Sequence, residues 1–175
     1  ETVPTYRSLL VHFDPLVSPP DEVRFRVESL LQETGDFSVS TGAVKKVPTV
    51  YDGEDLPDIC AHVGLSREEV IEHHCREELM VYMLGFSPGF AYMGLLPEVM
   101  ATPRRASPRT RVPAGTVALA RQQTCVYPSA HPRGWPVIGL ASLPLFDPNL
   151  DPPTFFHPGD RVPFVPTEAL GDPGQ

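Results

Sequence analysis

Proline recurs along the whole chain and limits what it can fold into. There are 22 prolines among 175 residues. Each lacks a backbone N–H donor and has a fixed φ, which disfavours long helices and central strands. In the second half, proline and Pro-Gly turns separate short apolar runs, and these strand candidates are 79–84, 116–119, 124–127, 136–140 and 161–164. Short strands with dense turn signals favour a closed or nearly closed β-barrel.

The first 77 residues have a different texture. Thr5–Phe13 and Val44–Tyr51 are strand candidates, and the proline inside the second predicts an edge strand. Helices are predicted from Asp21 to about Gly35, over Asp55–Val63, and after Ser66, where Ser66 and Glu69 have capping-box spacing. The chain is therefore predicted to be α+β, with a small α/β sandwich domain at residues 1–77 and a barrel domain at residues 78–175.

Charge and cysteine content narrow the class of protein. The net charge of −8 argues against nucleic acid as the main partner, because phosphate binding needs a basic face. Apolar runs fall short of the roughly 20 residues that cross a bilayer. Three cysteines without a CxxC pair indicate a reduced, cytoplasmic protein. The chain opens on Glu1 rather than methionine, which suggests that an initial segment is absent.

The stretch from Val81 to Pro113 carries the clearest functional signal. An aromatic loop, Gly85–Tyr92, runs into four arginines within eight positions: Arg104, Arg105, Arg109 and Arg111. Aromatic rings on a Pro-Gly frame can line a pocket or fill a core. Paired guanidinium groups can clamp a carboxylate or phosphate of a ligand, or bind carboxylates of the chain itself. Both alternatives remain open from the residues alone.

Other chemistry is less clearly marked. His74 is a candidate general base near the domain junction, although a structural histidine fits the sequence as well. The spacing of histidines and carboxylates does not predict a metal site. Cys125 has no partner assignable by spacing and is not predicted to be a nucleophile. The sequence contains neither a P-loop nor a GxGxxG motif.

Several long motifs occur in a characteristic order. They are V-Y-x-x-G-F-S-P-G-F-A-Y from Val81, P-R-R-x-x-P-R-T-R-V-P-A-G-T-V-A from Pro103, then Y-P, G-W, I-G and P-G-D-R-V-x-F. Over roughly Val44–Pro166 the chain resembles the KipI/PxpB family, also called allophanate hydrolase subunit 1 or the carboxyltransferase B-subunit domain. The resemblance implies an N-terminal α+β domain, here without its first segment, and a cyclophilin-like β-barrel.

The resemblance also implies a function. Family members form a heteromer with a subunit of the PxpC (allophanate hydrolase subunit 2) type, and with a third protein they hydrolyse 5-oxoproline at the expense of ATP. The active site is expected at the subunit interface, with ATP used by the complex and not held by a phosphate loop of this chain. The expected catalytic residues are His74, Arg109 and Arg111. The expected substrate-binding residues are Phe86, Pro88, Gly89, Phe90, Tyr92, Arg104, Arg105, Pro113, Gly115, Gln123, Tyr127 and Trp135.

Two departures from the family pattern bear on the substrate. The usual P-G-G-W reads Pro132-Arg133-Gly134-Trp135, and the usual I-G-R-T reads Ile138-Gly139-Leu140-Ala141. The second change removes an arginine and a threonine. If that pair touches substrate in active members, this chain has a different activity or substrate.

Three functions follow from the family. The first is a subunit of an ATP-dependent amide hydrolase, most simply 5-oxoprolinase. The second is a KipI-type inhibitor of a histidine kinase, which is a binding module and not an enzyme. The third is allophanate hydrolysis, whose amidase chemistry normally uses a serine–lysine centre. The chain has two lysines, Lys45 and Lys46, and no serine-rich amidase motif, so the third is treated as a name rather than a mechanism.

Overall fold

The computed structural model of the protein describes residues 1–33 and 42–171. The chain forms two compact units, Glu1–Ser40 and Thr41–Gln175. The α-helices are α1 (Pro20–Glu33), α2 (Leu56–Val63) and α3 (Arg67–Cys75), and a short 3-10 helix spans Glu98–Met100. The strands are β1 (Thr2–Pro4), β2 (Leu9–Val11), β3 (Val47–Val50), β4 (Leu79–Leu84), β5 (Ala91–Gly94), β6 (Arg109–Val112), β7 (Thr116–Ala120), β8 (Gln123–Val126), β9 (His131–Arg133), β10 (Val137–Ala141), β11 (Arg161–Val162) and β12 (Phe164–Pro166).

The first unit consists of a β1–β2 antiparallel hairpin followed by α1. The predicted helix is present, and Asp21 lies in its first turn, where a carboxylate stabilises the exposed N–H groups. No side chain of α1 is fully buried. The predicted helix stop at Gly35 lies outside the described residues.

The second unit is built around a sheet of eight strands in the order β11-β4-β5-β8-β7-β10-β3-β12. Its two end strands are neighbours in sequence, separated by Pro163 alone. β11 pairs with β4 on one side, and β12 pairs in parallel with β3 on the other. The segment Arg161–Pro166 therefore joins the two edges, so the sheet is nearly closed. The predicted β-barrel and the α+β class are confirmed.

Strand β3 is not the edge strand that its proline predicts, because it lies between β10 and β12. The Val47 N–H donates to Pro163 O at 3.0 Å, on the β12 side. Since successive N–H groups of a strand point to opposite sides, Pro48 faces the β10 side. Pairing with β10 covers Val50 and Thr49 and ends there. Pro48 therefore replaces a donor that the ladder does not use.

The chain also divides elsewhere than at the expected boundary near Glu77–Glu78. Strand β3 pairs with β10 and β12 from the second half of the sequence, and α3 packs against β12. Residues 42–77 thus belong to the same compact unit as the barrel strands. Local sequence texture changes at residue 79, but the strand pairing that defines the unit is non-local.

Helices α2 and α3 follow their sequence signals. Ser66 accepts a hydrogen bond from the Glu69 N–H at 3.1 Å, and the Glu69 carboxylate accepts one from the Ser66 N–H at 2.8 Å, which completes the predicted capping box. α2 ends at Gly64 in the left-handed region, with φ of 71°. Helices of the described residues are too short or too polar to cross a membrane.

Both faces of the central strands are buried, in two separate hydrophobic clusters. In β7, Val117 and Leu119 belong to the larger cluster, which includes residues of α2 and α3. Ala118 and Ala120 point the other way, into a smaller cluster that contains the aromatic side chains of the Gly85–Tyr92 loop. The two-stranded β6–β9 sheet contributes Val112 to this second cluster. Alternation along β7 thus places the aromatic loop on the opposite face from the helices.

Candidate functional site

The aromatic loop is a tight connection between β4 and β5. The Gly85 N–H donates to Phe90 O at 3.1 Å, and the Phe90 N–H donates back to Ser87 O at 3.0 Å. Gly89 has φ of 76°, and a Cβ there would lie 2.7 Å from Leu145 O, so the turn requires glycine. Phe86 also has positive φ, of 74°, an uncommon conformation for a non-glycine residue. Its side chain is 69% exposed.

Phe90 is the centre of an aromatic cluster. Its ring lies 4.8 Å from Tyr92, 5.4 Å from Tyr127, 5.5 Å from Phe86 and 6.3 Å from Trp135. Most of these pairs are edge-on, the arrangement that the ring quadrupole favours. Burial raises the pKa of Tyr127 well above its ordinary value, so the phenol is neutral at physiological pH.

These rings line a cavity of about 470 Å³ that we call the aromatic cavity. Its lining residues are Phe86, Phe90, Tyr92, Arg104, Arg105, Pro108, Tyr127, Pro132, Arg133, Gly134 and Trp135. The volume falls in the range of roughly 300–1,000 Å³ typical of small-molecule sites. The described residues that line it include arginines and no acidic side chain.

The segments that carry the arginines are held together by backbone hydrogen bonds. Strand β6 pairs antiparallel with β9, with Arg109 opposite Arg133. The Arg105 N–H donates to Gly134 O at 2.8 Å. This pairing brings the 104–109 segment beside Trp135. The Arg104 guanidinium carbon lies 5.9 Å from the Trp135 ring centre, within cation–π range.

Two of the four predicted arginines bind a carboxylate of the chain itself. Arg109 Nη2 donates to Asp55 Oδ1 at 2.9 Å, and Arg109 Nη1 donates to Asp55 Oδ2. Arg105 Nη1 donates to Asp55 Oδ1, and the Val137 N–H donates to Oδ2 at 2.8 Å. Arg109 Nε pairs with Glu54 at 2.7 Å. Every nitrogen of the Arg109 guanidinium is therefore engaged, and we call this group the Asp55 clamp.

Burial and pairing act in opposite directions on Asp55. Its side chain is almost entirely buried, and burial alone would raise its pKa. The hydrogen bonds from Arg109 and from the Val137 N–H, together with the charges of Arg109 and Arg105, outweigh burial and hold the pKa below its ordinary value. Asp55 is therefore ionised at neutral pH. Asp55 precedes α2, but it makes no side-chain cap there because its oxygens serve the arginines.

The predicted substrate-binding residues fall into two groups. Phe86, Phe90, Tyr92, Arg104, Arg105, Tyr127 and Trp135 line the aromatic cavity. Outside this lining lie Pro88, Gly89, Pro113, Gly115 and Gln123, among the residues that the structure describes. Gly115 is a turn residue with φ of 80°, and Gln123 is the first residue of β8. The predicted catalytic residues Arg109 and Arg111 are also outside the lining.

Arg111 and the departure at residues 140–141 belong to another surface. Arg111 is exposed and lines a separate hollow of about 240 Å³ with Glu54, Pro113 and Leu140. Leu140 is thus remote from the aromatic lining. The arginine missing from the usual I-G-R-T motif would lie at this second hollow.

His74 is placed in the core and away from the aromatic cavity. It is completely buried, its Nδ1 lies 2.7 Å from the Tyr51 hydroxyl, and its Nε2 lies 2.9 Å from Thr124 Oγ1. Burial lowers the pKa of His74 to about 3, so the ring is neutral at physiological pH. The structural role that the sequence also allows agrees with this position.

The buried His74 predicts acid-sensitive stability. Unfolded histidine binds a proton below pH 6.5, whereas folded His74 does so only near pH 3. Stability is therefore present above pH 6.5 and is lost as pH falls, by about 2 kcal/mol between pH 7.5 and 5. Chemical denaturation at both pH values should show this loss reduced in His74→Gln. The matched control is His62→Gln, at an exposed position, and equal pH dependence in both variants would contradict the prediction.

Sequence patterns alone do not single out Arg133 or Asp55 as site residues. For Arg133, the available signal is an arginine that replaces a glycine of P-G-G-W, next to the sole tryptophan. For Asp55, the sequence indicates only the start of a helix. Lys45 is occupied structurally, because its Nζ pairs with Asp160 at 3.1 Å and donates to Phe155 O. Within the described residues, the cysteines are free and no cluster of three or more metal-ligating side chains occurs.

Comparison with known proteins agrees with the motifs. The family model of the carboxyltransferase domain, subdomain C and D, matches residues 1–156. The chain is 52% identical to the 5-oxoprolinase B subunit of Escherichia coli O157:H7 over 69% of this chain and 57% of the relative. It is 39% identical to the 5-oxoprolinase B subunit of Bacillus subtilis, over 94% of this chain and 74% of the relative.

A solved structure shows the same fold. The conserved uncharacterized protein PH0987 from Pyrococcus horikoshii superposes with a TM-score of 0.69 at 40% identity, covering 95% of this chain and 78% of the other. The chain spans little more than half of the E. coli relative's length. The resemblance drawn from the motifs is confirmed, and the chain belongs to the family of the carboxyltransferase domain, subdomain C and D.

Proposed function

We propose that this chain acts in the B subunit of a 5-oxoprolinase-type hydrolase and that the aromatic cavity binds the substrate. The names of the E. coli and B. subtilis relatives carry this proposal. The reaction would open the lactam C–N bond of 5-oxoproline at the expense of ATP. The chain contains no recognisable phosphate-binding loop, so we assign ATP to another part of the complex.

The chemistry of the cavity supports a small substrate of this kind. A lactam ring is flat and has an apolar edge, which suits walls made by Phe90, Tyr92 and Trp135. Cleavage of an amide places negative charge on the carbonyl oxygen. Arg104, which is exposed at the cavity and is not part of the Asp55 clamp, is the lining residue we propose to stabilise this charge.

The position of Phe86 and Arg104 supports a site shared with a partner. Both side chains are exposed while the rings beneath them are buried. A second subunit of the PxpC type seated over this opening would exclude water and complete the site. Exclusion of water strengthens electrostatic interactions with the developing charge.

Reconstitution with the subunits encoded beside this chain tests the proposal. Hydrolysis of ATP and release of glutamate should both depend on 5-oxoproline and on this chain. Trp135→Ala removes a wall of the aromatic cavity and is expected to lower kcat/KM about tenfold, which corresponds to about 1.4 kcal/mol. Phe25→Ala, at an exposed aromatic residue of α1, is the control and should leave kcat/KM unchanged. Absence of 5-oxoproline-dependent turnover in every subunit combination would refute the function.

A further inference from the structure

Arg133 is a buried cation whose hydrogen bonds are incomplete. It is the last residue of β9 and is 7% exposed. Its Nη1 donates to Pro132 O at 3.0 Å, but Nε and Nη2 have no hydrogen-bond partner. Guanidinium groups are always charged, and a buried charge is costly unless it is paired. The two free N–H edges therefore call for an acceptor that the described residues do not supply.

Two aromatic rings fix the orientation of this guanidinium. Its central carbon lies 4.5 Å from the Phe86 ring centre and 4.6 Å from the Tyr127 ring centre. Stacking between rings stabilises the flat faces of the cation and leaves its edge for hydrogen bonding. Phe86 reaches this position from the strained loop, with its φ of 74°. The unusual backbone thus serves to cover Arg133.

The other arginines provide a contrast within the same chain. Arg105 and Arg109 are neutralised by the Asp55 clamp, in which one buried carboxylate serves two cations. Arg133 lies opposite Arg109 in the β6–β9 pair, yet it forms no ion pair with any carboxylate of the described residues. The protein therefore pairs two arginines internally and keeps a third one buried and unpaired against a cavity with no acidic lining residue.

We propose that Arg133 binds the carboxylate of the substrate and that the aromatic cavity selects small molecules with a carboxylate attached to a flat or apolar body. This inference deepens the proposed function, since 5-oxoproline is such a molecule, and it rests on that function for the identity of the substrate. A carboxylate that accepts from Nε and Nη2 would complete the guanidinium in a bidentate pair. The apolar body would then pack against Phe90, Tyr92 and Trp135.

The sequence departure gains a meaning from this geometry. Where the family pattern has the second residue of P-G-G-W as glycine, this chain has the buried cation. The glycine cannot supply a charge, so Arg133 is a specificity residue of this chain and not one required by the family motif. Leu140, at the position of the missing family arginine, lies at the separate hollow and does not alter the charge of the aromatic cavity.

Paired ligands with and without a carboxylate test the assignment. The probes are 5-oxoproline against 2-pyrrolidinone, and benzoate against benzamide. Binding to the full chain, alone and with its partner subunit, is measured by calorimetry or ligand-observed NMR. We expect the acid of each pair to bind about 10- to 100-fold more tightly than its neutral analogue. Arg133→Met should remove this preference, and Arg133→Lys should retain part of it.

Controls separate the charge from the fold. Arg111→Met removes an exposed arginine outside the aromatic cavity and should leave the preference intact. Thermal unfolding of Arg133→Met shows whether the chain still folds; if it does not, the comparison of Arg133→Lys with the parent decides, because lysine keeps the charge and loses the bidentate geometry. Equal affinity for acid and neutral analogue in the parent, or an unchanged preference in the Arg133 variants, would overturn the proposal.

The two proposals can fail independently. Arg133-dependent binding of benzoate without binding or turnover of 5-oxoproline would retain the carboxylate site and reject the proposed substrate. Turnover of 5-oxoproline that is unaffected in Arg133→Met would retain the function and reject Arg133 as the carboxylate-binding residue. Failure of every acid to bind would also reject the carboxylate site.

Discussion

Replacing Asp55 by alanine is expected to lower the free energy of unfolding by about 3–5 kcal/mol at neutral pH. The change leaves the Arg105 and Arg109 guanidinium groups and the Val137 N–H without their shared acceptor. Removing one partner of a buried ion pair costs more than the pair contributes, because the remaining charge stays buried. Urea unfolding followed by circular dichroism measures the loss.

Glu54 is the matched control for Asp55. It also pairs with Arg109, but its side chain is 65% exposed. Surface ion pairs contribute about 0–1 kcal/mol, so Glu54→Ala should be nearly neutral. Equal losses in Asp55→Ala and Glu54→Ala would show that burial does not govern the clamp.

The Asp55 contribution should also depend on pH in a defined direction. Its folded-state pKa is lowered, so the stabilisation is present above the unfolded-state pKa of about 3.9 and is lost as pH falls through the folded-state value. This window lies below the pH range in which His74 acts. In Asp55→Asn the acid-induced loss of stability below about pH 4 should therefore be smaller than in the parent.

Replacing Gly115 by alanine is expected to cost about 2–5 kcal/mol, for two separate reasons. Its φ of 80° is strained for a residue with a side chain, and a Cβ there would lie 2.0 Å from Ala141 O. The same turn is held by hydrogen bonds from the Gly115 N–H to Tyr127 O at 2.7 Å and from the Ala141 N–H to Gly115 O at 2.8 Å. The backbone therefore cannot move away without breaking them.

Gly64→Ala separates these two reasons. Gly64 has a similar φ of 71°, but nothing lies within 4 Å of the position of its Cβ. Alanine there should cost only the strain of the left-handed conformation, about 1–2 kcal/mol. The difference between the two variants in chemical denaturation measures the steric contribution. A Gly115→Ala loss no larger than that of Gly64→Ala would contradict the close approach.

Gly115 and Arg109 show why motif membership and site membership differ. Gly115 belongs to the same long motif as the arginines, and the family resemblance implies that it binds substrate. In the structure it closes the turn between β6 and β7 against β10. Arg109 belongs to that motif as well, and its guanidinium is fully engaged by Asp55 and Glu54. Such a motif contains residues that build the cavity together with residues that line it.

Local chemistry is enough to predict much of the fold from the sequence. The capping box at Ser66, the helix over 56–63 and most barrel strands depend on residues that are neighbours along the chain. The barrel itself follows from short strands between proline turns. The position of β3 does not follow, because whether Pro48 sits at an edge depends on how far β10 extends beside it.

The sequence by itself determined the family, the α+β class, and the aromatic loop and arginine cluster as the region of interest. Tertiary structure decided what each arginine does. Asp55 meets Arg105 and Arg109 across 50 and 54 positions of sequence, and the burial of Arg133 depends on Phe86 and Tyr127 from other elements. The charge state and partners of a side chain are set by what surrounds it in space, and local sequence patterns do not contain that information.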